Sequence, residues 1–409
     1  MRIEGIHLAA TGAYIPPRVS TREAVERGWY EQELVDSCGW RSIAVADGTP
    51  APDMAVAAAR QAFERSGLGR EDIDLLVHTC AYHQGPDGWS APHYILRGTL
   101  NTPIPALTVD QGCNGFLAGI ETATQYLLAA PGRTGALVTS ADNFGAPSVD
   151  RWHAHRDAVL ADAGTAVVLS KRPGWARLRS VESVSLPEFE VLNRGHEPLF
   201  PPALTVGKQL DMNEHLEAMI EELGPQASRI VQDYGAAGGK LVEQLTAEAG
   251  IAVSDLTAVL HLGAGTTAFL ESHLQPMGLD AALGDVAYFR EVGHAGACDI
   301  GLQLNHLAED GLLSVGDHLL MLSSGPGIMI TAAVVEVMTP PALGTAEGAR
   351  TDAAPATGST SGATAGTGGT AAPDAGSTAT PATGIAAAQG TSTSTGTGTG
   401  TGTDRGAAW

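Results

Sequence analysis

Basic residues are scarce in this 409-residue sequence, in which 23 Lys and Arg side chains stand against 45 Asp and Glu side chains. The formal charge at pH 7 is therefore −22. A protein with this charge repels the phosphates of nucleic acids and of anionic membrane surfaces, so we expect neither as a partner. The same charge favours solubility.

Cysteine is also rare, and long apolar runs are missing. The four cysteines show no CxxC spacing, which excludes a disulfide framework and the usual zinc-site patterns. They are Cys38, Cys80, Cys113 and Cys298. No signal peptide or membrane-length apolar run opens the chain. We therefore expect a cytoplasmic enzyme or binding protein without a metal.

The C-terminal part of the chain lacks large apolar residues. From Gly344 onward it is a tract of Thr, Gly, Ala and Ser in which only Ile385 and Trp409 are large and apolar. Such a segment buries too little surface to offset the entropy lost on ordering, so residues 344–409 are predicted to be disordered. The preceding part is still longer than a usual single domain, which predicts two domains or a fused double domain.

The segment 106–130 places Cys113 between a buried-looking strand and an apolar helix. Apolar residues recur on one face of that helix: Phe116, Ile120, Ala123 and Leu127. Cys113 therefore lies at a helix start, where unpaired amide N–H groups and the helix dipole stabilise a thiolate. Two interpretations remain open at this point, namely a catalytic nucleophile and an ordinary buried cysteine.

Two parts of the chain repeat the order helix, glycine, aspartate and apolar strand. The first copy has a helix predicted at 53–66 and a strand at 73–79, and the second copy follows 183 residues later. The matching positions are Gly67, Asp72, Ile73 and Val77 in the first copy, and Gly250, Asp255, Leu256 and Leu260 in the second. Two copies of one αβ unit are therefore predicted.

The repeat also predicts where the functional site lies. The same displacement carries the Cys113 region to a second glycine-rich helix start at 292–307. We assign residues 1–172 and 173–343 to the two halves and expect the two helix starts to converge about a pseudo-twofold axis.

The second helix start contains His294 and Asp299. A thiol, an imidazole and a carboxylate are the groups needed for a cysteine nucleophile with an oriented general base. The glycine turn at Gly325 would offer an N–H to an oxyanion beside the N–H of Cys113. The alternative is that His294 is an ordinary hydrogen-bonded histidine and that Asp299 only complements the helix dipole.

Over roughly residues 1–340 the chain resembles the β-ketoacyl-ACP synthase III family. The matching motifs are DMAVAAARQAFERSGLGREDIDLLV, DQGCNGF, DAGTAVVLS and SSGPG. The resemblance implies an α/β thiolase fold, which is a duplicated five-layer αβαβα arrangement, and a homodimer. It places Cys113 on the acyl-accepting cysteine of the family and Gly325 on an oxyanion-hole glycine.

The departures from the family pattern concern the two residues that stabilise the carbanion in condensing members. LHLGAG stands where a PHQAN-like motif is expected, and an ungapped alignment puts Leu262 on the catalytic histidine. GHAGACD puts His294 on the catalytic asparagine. The pattern is similar to the synthase-III-like acyltransferases of antibiotic biosynthesis, in which Cys, His and Asp form a triad. One gap in the alignment would instead make His261 the base.

The donor site also departs from the family pattern. Glu33 and Ser37, in ELVDSCGW, replace the Trp and Arg of members that use acyl-CoA. The resemblance therefore implies phosphopantetheine on an acyl carrier protein as the donor, with CoA still open, and no tightly bound cofactor.

Three functions follow from this resemblance. The first is an acyltransferase that forms an acyl-cysteine and passes the acyl group to a hydroxyl, an amine or a second carrier in secondary-metabolite biosynthesis. The second is a starter-unit synthase that catalyses decarboxylative condensation. The third is a non-catalytic partner that binds a carrier protein.

Overall fold

In the computed structural model, which describes residues 1–201 and 206–341, nine of eleven strands form one mixed sheet. The strands are β1 His7–Tyr14, β2 Arg18–Ser20, β3 Ser42–Ala44, β4 Leu75–Cys80, β5 Ala106–Asp110, β6 Gly135–Asp142, β7 Ala163–Ser170, β8 Ala176–Ser185, β9 Ala258–Leu260, β10 His318–Gly325 and β11 Met329–Val337. Their order in the large sheet is β5, β4, β6, β7, β1, β8, β11, β10, β9, while β2 and β3 pair separately.

Helices connect these strands and cover the sheet. They are α1 Thr21–Glu26, α2 Gln32–Cys38, α3 Ala51–Ser66, α4 Ala91–Gly98, α5 Gly115–Leu128, α6 Val191–Arg194, α7 Met212–Leu223, α8 Ile230–Ala249, α9 Thr267–Leu274, α10 Val286–Val292 and α11 Asp299–Glu309. Helices α3 and α8 both end at a glycine with positive φ, Gly67 and Gly250, where a side chain would be strained. Within the described part of the chain, no helix has the length and apolarity to cross a bilayer.

The strand order is symmetric about the junction of β1 with β8. Strands β7, β6 and β4 follow outward from β1, and β11, β10 and β9 follow outward from β8. The short turns Arg70–Asp72 and Val253–Asp255, which precede β4 and β9, are separated by the predicted 183 residues. This symmetry confirms the duplicated fold. Strand β5 differs, because the corresponding residues of the second half lie in and just after α10.

Helices α5 and α11 form the central layer. Helix α5 contacts β4 and β6 of the first half and also β10 and β11 of the second, while α11 contacts β1, β7, β9 and β10. Helix α3 covers β1, β6 and β7, and α8 covers β8 and β11. These contacts make the five-layer αβαβα arrangement expected from the sequence.

Small residues allow the central helix to approach the sheet closely. A Cβ added at Gly119 of α5 would lie 2.8 Å from Cγ2 of Thr79 and 3.0 Å from Cγ1 of Val138. Phe116 and Ile120 of the same helix are fully buried. Close packing of this layer holds the N-terminal end of α5, and therefore Cys113, in a defined place.

Several predicted boundaries were wrong by a few residues. Residues 1–11, which precede the turn residues Gly12, Pro16 and Pro17, predict a first strand, but β1 begins only at His7, after Gly5, whose φ is 71°. The strand predicted from residue 73 begins at Leu75, since Ile73 still closes the preceding short turn. The division at 172/173 falls between β7 and β8 and stays a prediction. The predicted disordered tail, 344–409, lies outside the described residues.

Replacing Ile120 by alanine should destabilise the central layer. Ile120 is fully buried between the two halves of the sheet, so we expect the free energy of unfolding to fall by about 2–5 kcal/mol. Leu128 of the same helix is 41% exposed, so the control Leu128→Ala should change it by less than about 1 kcal/mol. Urea denaturation measures both variants. Equal losses would contradict the central position of α5.

Candidate active site

Cys113 lies at the junction of the strand β5 and the helix α5. A single turn of 3₁₀-helix, Gly112–Asn114, joins them, and Gly112 has a φ of 54°. A Cβ at Gly112 would lie 2.3 Å from Cδ of Pro326, so only glycine allows this turn to contact the loop after β10. Cys113 is a partly exposed free thiol. The local structure therefore presents the thiol at a helix start, as predicted.

The second glycine-rich helix start meets the first. The turn Gly296–Cys298 precedes α11 and contacts the turn Gly112–Asn114. A Cβ at Gly115 would lie 3.4 Å from Cβ of Ala297, so the two helix starts approach closely across the pseudo-twofold axis. The structure thus brings together the two segments that the repeat related.

The three predicted polar groups form a continuous chain of contacts. Nε2 of His294 lies 3.4 Å from Sγ of Cys113, and Nδ1 of His294 lies 2.6 Å from Oδ2 of Asp299. Since the carboxylate accepts the proton of Nδ1, Nε2 faces the thiol. His294 is buried, and Asp299 has no exposed surface. This is the arrangement of a nucleophile, a base and an orienting acid.

The surrounding charges determine the protonation of His294. Burial lowers the pKa of this imidazole, but the Asp299 carboxylate and the Cys113 sulfur outweigh burial and raise the pKa well above its usual value. An imidazolium next to the sulfur stabilises a thiolate on Cys113. The geometry and the charges together favour an imidazolium at His294 whose Nε2 faces the sulfur of Cys113.

Backbone hydrogen bonds hold His294 on both sides. Its N–H donates to the carbonyl of Val159 at 3.0 Å, and its carbonyl accepts from the N–H of Ala161 at 2.8 Å. The loop before β7 therefore forms a parallel β-bridge with His294, centred on Leu160. These two bonds, to a segment distant in sequence, fix the backbone of His294 and thereby the position of its ring relative to Cys113.

The end of β10 and the turn that follows it pack against Cys113 and its neighbours. A Cβ at Gly325 would lie 2.3 Å from the carbonyl oxygen of Gln111, so glycine is required there. Oγ of Ser323 donates to the carbonyl of Cys113 at 3.0 Å, and Nε2 of Gln111 donates to the carbonyl of Pro326 at 2.7 Å. The oxyanion role of the Cys113 and Gly325 N–H groups stays a prediction.

His261 lies outside the triad. It follows β9 and is buried, and its Nδ1 donates to the carbonyl of Leu262 at 2.6 Å. Its ring stands beside Phe289, with 5.4 Å between the ring centroids. Burial lowers the pKa of His261. Among the hydrogen bonds of the described residues, none joins His261 to Cys113.

A buried carboxylate that the sequence analysis missed connects the two halves. Asp142, at the end of β6, accepts from the N–H groups of Ala81 and Tyr82 at 2.8 and 2.9 Å, and from that of Ala297 at 3.1 Å. Burial raises the pKa of Asp142 to about 7, although the three amides and His294 act in the opposite direction. An aspartate at the end of an otherwise uncharged strand, Gly135–Asp142, was the available sequence signal.

The second residue that the sequence analysis missed is Gly263. Its N–H donates to Oδ2 of Asp299 at 2.6 Å, and Oδ1 of Asp299 accepts from the N–H of Ala295 at 2.8 Å. The carboxylate therefore has backbone donors at both oxygens besides His294.

The predicted donor region lies beside the loop before β7, which is hydrogen-bonded to His294. Glu33 and Ser37 are exposed on α2. Nε2 of His153 lies 2.9 Å from Oε2 of Glu31, which connects the start of α2 to that loop. Across 1–201 and 206–341, no cluster of three His, Cys, Asp or Glu side chains is arranged to hold a metal ion.

Two family descriptions match the chain. The model of 3-oxoacyl-[acyl-carrier-protein (ACP)] synthase III matches residues 107–184, and the model of the C-terminal part of the same enzyme matches residues 246–337. The first range contains Cys113, and the second contains His294 and Asp299.

Curated relatives carry the name beta-ketoacyl-[acyl-carrier-protein] synthase III. The protein of Clostridium beijerinckii is 21% identical over 345 residues, which are 82% of this chain and 100% of that protein. The protein of Rhodospirillum centenum is 32% identical over 167 residues, which are 40% of this chain and 50% of that protein.

Solved structures share the fold. ChlB3, described as an acyltransferase, is 38% identical, with a TM-score of 0.77, covering 83% of this chain and 99% of ChlB3. The 3-oxoacyl-[acyl-carrier-protein] synthase III of Aquifex aeolicus is 16% identical, with a TM-score of 0.65, covering 81% of this chain and 99% of that chain. The latter likeness concerns the fold alone.

The raised pKa of Asp142 predicts a pH dependence of stability. The native carboxyl group keeps a proton up to about pH 7, whereas an unfolded aspartate loses it near its ordinary value of about 4. The Asp142 carboxyl group therefore contributes its full stabilisation below about pH 4, and this stabilisation is lost as the pH rises through about 7.

We expect the free energy of unfolding to fall more steeply between about pH 5 and pH 8 in the wild type than in Asp142→Asn. Urea denaturation across this range measures both slopes. Asp87 has an exposed side chain, so Asp87→Asn should keep the wild-type slope. Parallel slopes for the wild type and Asp142→Asn would contradict the prediction.

Proposed function

This chain belongs to the β-ketoacyl-[acyl-carrier-protein] synthase III family, and from that premise we propose that it is an acyltransferase acting through an acyl-Cys113 intermediate. The donor is an acyl group on the phosphopantetheine of a carrier protein. The acceptor is a hydroxyl, an amine or a second carrier in secondary-metabolite biosynthesis. The observation that carries the proposal is the hydrogen-bonded chain from Cys113 through His294 to Asp299.

The first half-reaction uses the thiolate–imidazolium pair. The Cys113 thiolate attacks the carbonyl carbon of the donor thioester, and a new carbon–sulfur bond forms. N–H groups of Cys113 and Gly325 would stabilise the oxyanion. When the old carbon–sulfur bond breaks, the phosphopantetheine thiolate takes the proton of His294. Acyl-Cys113 and a neutral imidazole result.

The second half-reaction needs a base, and acylation supplies it. The thioester on Cys113 is uncharged, so the sulfur no longer stabilises the imidazolium. Neutral His294 then accepts the proton of the acceptor hydroxyl, amine or thiol as the acceptor attacks the thioester. The Cys113 thiolate leaves, the imidazolium forms again, and Asp299 stabilises it.

The site contains one histidine where decarboxylative condensation in this family uses a histidine and an asparagine together. His294 occupies the asparagine position, and the ring of His261 is directed at the Leu262 carbonyl. Carbon dioxide release from a malonyl carrier would favour condensation. A protein that binds a carrier but never forms acyl-Cys113 would be the non-catalytic partner.

The charges near α2 support a carrier protein as donor. Helix α2 contains Glu33 and Asp36 but no basic residue, and Glu31 precedes it. The phosphates of CoA would meet three carboxylates here, which is unfavourable. A carrier protein keeps its single phosphodiester at its own surface, so its pantetheine arm avoids this repulsion.

A second copy of the chain would complete the exposed edge of the sheet. Strand β5 pairs with β4 alone among the described strands. The N–H of Leu76 bonds to the carbonyl of Pro105, so in this parallel register Leu107 and Val109 direct their backbone groups at β4. Thr108 therefore directs its N–H and C=O outward. An unpaired edge of this kind favours strand pairing with a second copy.

Thr108→Pro tests this homodimer. Proline removes the outward N–H without breaking a bond to β4, so we expect a wild-type dimer and a monomeric variant in sedimentation at micromolar concentration. Thr108→Val keeps the N–H and should remain dimeric. A monomeric wild type would contradict the proposed assembly.

Substitution of the base should separate the two half-reactions. For His294→Ala we expect acyl-Cys113 to accumulate while turnover falls about 100-fold or more, because the acceptor keeps its proton. Asp299→Asn should lose less if packing also holds the ring. His261→Ala should lose far less than His294→Ala. Intact mass of the acylated protein and product formation from acyl carrier are the measurements.

Cys113→Ala is the control, and it should form no adduct at all. An adduct in Cys113→Ala would contradict the nucleophile. An inactive His261→Ala together with an active His294→Ala would move the base to His261 and would support condensation.

A further inference from the structure

One peptide group outside the triad is hydrogen-bonded to it. The peptide that joins Leu262 to Gly263 accepts a hydrogen bond at its carbonyl and donates one from its N–H. The donor to the carbonyl is Nδ1 of His261, at 2.6 Å. The acceptor of the N–H is Oδ2 of Asp299, also at 2.6 Å. Through this single peptide, His261 is connected to the carboxylate.

The connection extends to the nucleophile. Oδ2 of Asp299, which receives the Gly263 N–H, also receives Nδ1 of His294 at 2.6 Å. Nε2 of His294 is 3.4 Å from Sγ of Cys113. Five groups therefore form one hydrogen-bonded series, from the His261 imidazole to the Cys113 thiol. Hydrogen bonds in such a series polarise one another.

The hydrogen bond from Gly263 to Asp299 also requires a residue without a side chain at position 263. An added Cβ would lie 2.9 Å from Cα and 3.0 Å from Cβ of His294, and 3.2 Å from Oδ2 of Asp299. Backbone and Cβ atoms cannot move aside as the end of a flexible side chain can. The φ of Gly263 is not positive, so its backbone conformation does not require glycine. A side chain is excluded because there is no space for it.

The peptide is held independently of the triad. The N–H of His261 donates to Oε1 of Gln303 in α11 at 2.8 Å, and His261 directly follows β9, which pairs with β10. The ring of His261 is buried against Phe289. These contacts hold the Leu262–Gly263 peptide through groups that lie outside the triad.

We propose that the Leu262–Gly263 peptide, oriented by His261, is the positioning group of the triad and holds the Asp299 carboxylate toward His294. Gly263 makes room for the His294 backbone. His261 thereby acts through the peptide and not on substrate. The inference deepens the proposed function and rests on it for the role of the triad in acyl transfer.

Alkylation of Cys113 by iodoacetamide tests the positioning without any acyl substrate. The alkylation rate depends on the fraction of Cys113 that is present as thiolate. That fraction depends in turn on the His294 imidazolium, which stabilises the thiolate. The titratable groups that act on His294 are Cys113, Asp299, Asp142 and His155, and neither test substitution removes any of these four. Mass spectrometry after proteolysis assigns the alkylation to Cys113.

For Gly263→Ala we expect the midpoint of the alkylation profile to move upward by about one pH unit, which is a tenfold slower reaction at low pH. His261→Ala adds no atom near the triad and should move the midpoint in the same direction by a smaller amount. Gly132→Ala is the matched control, because a Cβ there meets nothing within 4 Å. Its profile should equal that of the wild type.

A wild-type alkylation profile in folded His261→Ala or folded Gly263→Ala would overturn the proposal, even if the melting temperature fell. If Gly263→Ala fails to fold, His261→Ala decides alone. In His261→Gln the side-chain amide can donate to the Leu262 carbonyl, so its midpoint should shift less than that of His261→Ala. Because the assay needs no acyl carrier, failure of acyl transfer would contradict the proposed function and leave this result separate.

Discussion

The contact between two helix starts from different halves of the chain is the constraint on which the rest of the structure depends. The turns before α5 and α11 contact each other, and a Cβ added at Gly115 would lie 3.4 Å from Cβ of Ala297 in the facing turn. Gly112 and Gly296 make room for other neighbours of these turns, Pro326 and Asp142. A thiol on one turn then lies beside an imidazole on the other. The two helix dipoles point at the same space, and both favour negative charge there.

Burial of charged groups in this space is tolerated because each is paired. Asp299 accepts two backbone N–H groups and the imidazole, so its buried charge is compensated at both oxygens. Asp142 has three backbone donors but no hydrogen bond to a cation, so burial prevails and its pKa rises. The difference explains why Asp299 can serve as an orienting carboxylate while Asp142 mainly connects the two halves.

The pattern of the sequence predicted the elements better than their limits. The repeat at 183 residues was visible because glycine and aspartate mark the ends of α3 and α8 and the turns that follow. The strand starts were misplaced, because apolar residues such as Ile3 and Ile73 are buried without belonging to a strand. Periodicity records burial, whereas strand limits depend on hydrogen bonds to partners far along the chain.

The sequence by itself determined the residue types of the candidate site, Cys113, His294 and Asp299, and the duplicated order of elements around them. Their distances, the orientation of His261 and the contact of Gly263 with Asp299 were decided only by the tertiary structure. The physical reason is that the contact of Cys113 with His294 joins residues 181 positions apart and that of Gly263 with Asp299 joins residues 36 positions apart. A hydrogen bond between such segments is selected by angle and distance after the layers have packed. Nothing close to Gly263 in the sequence indicates that the backbone of His294 lies against it.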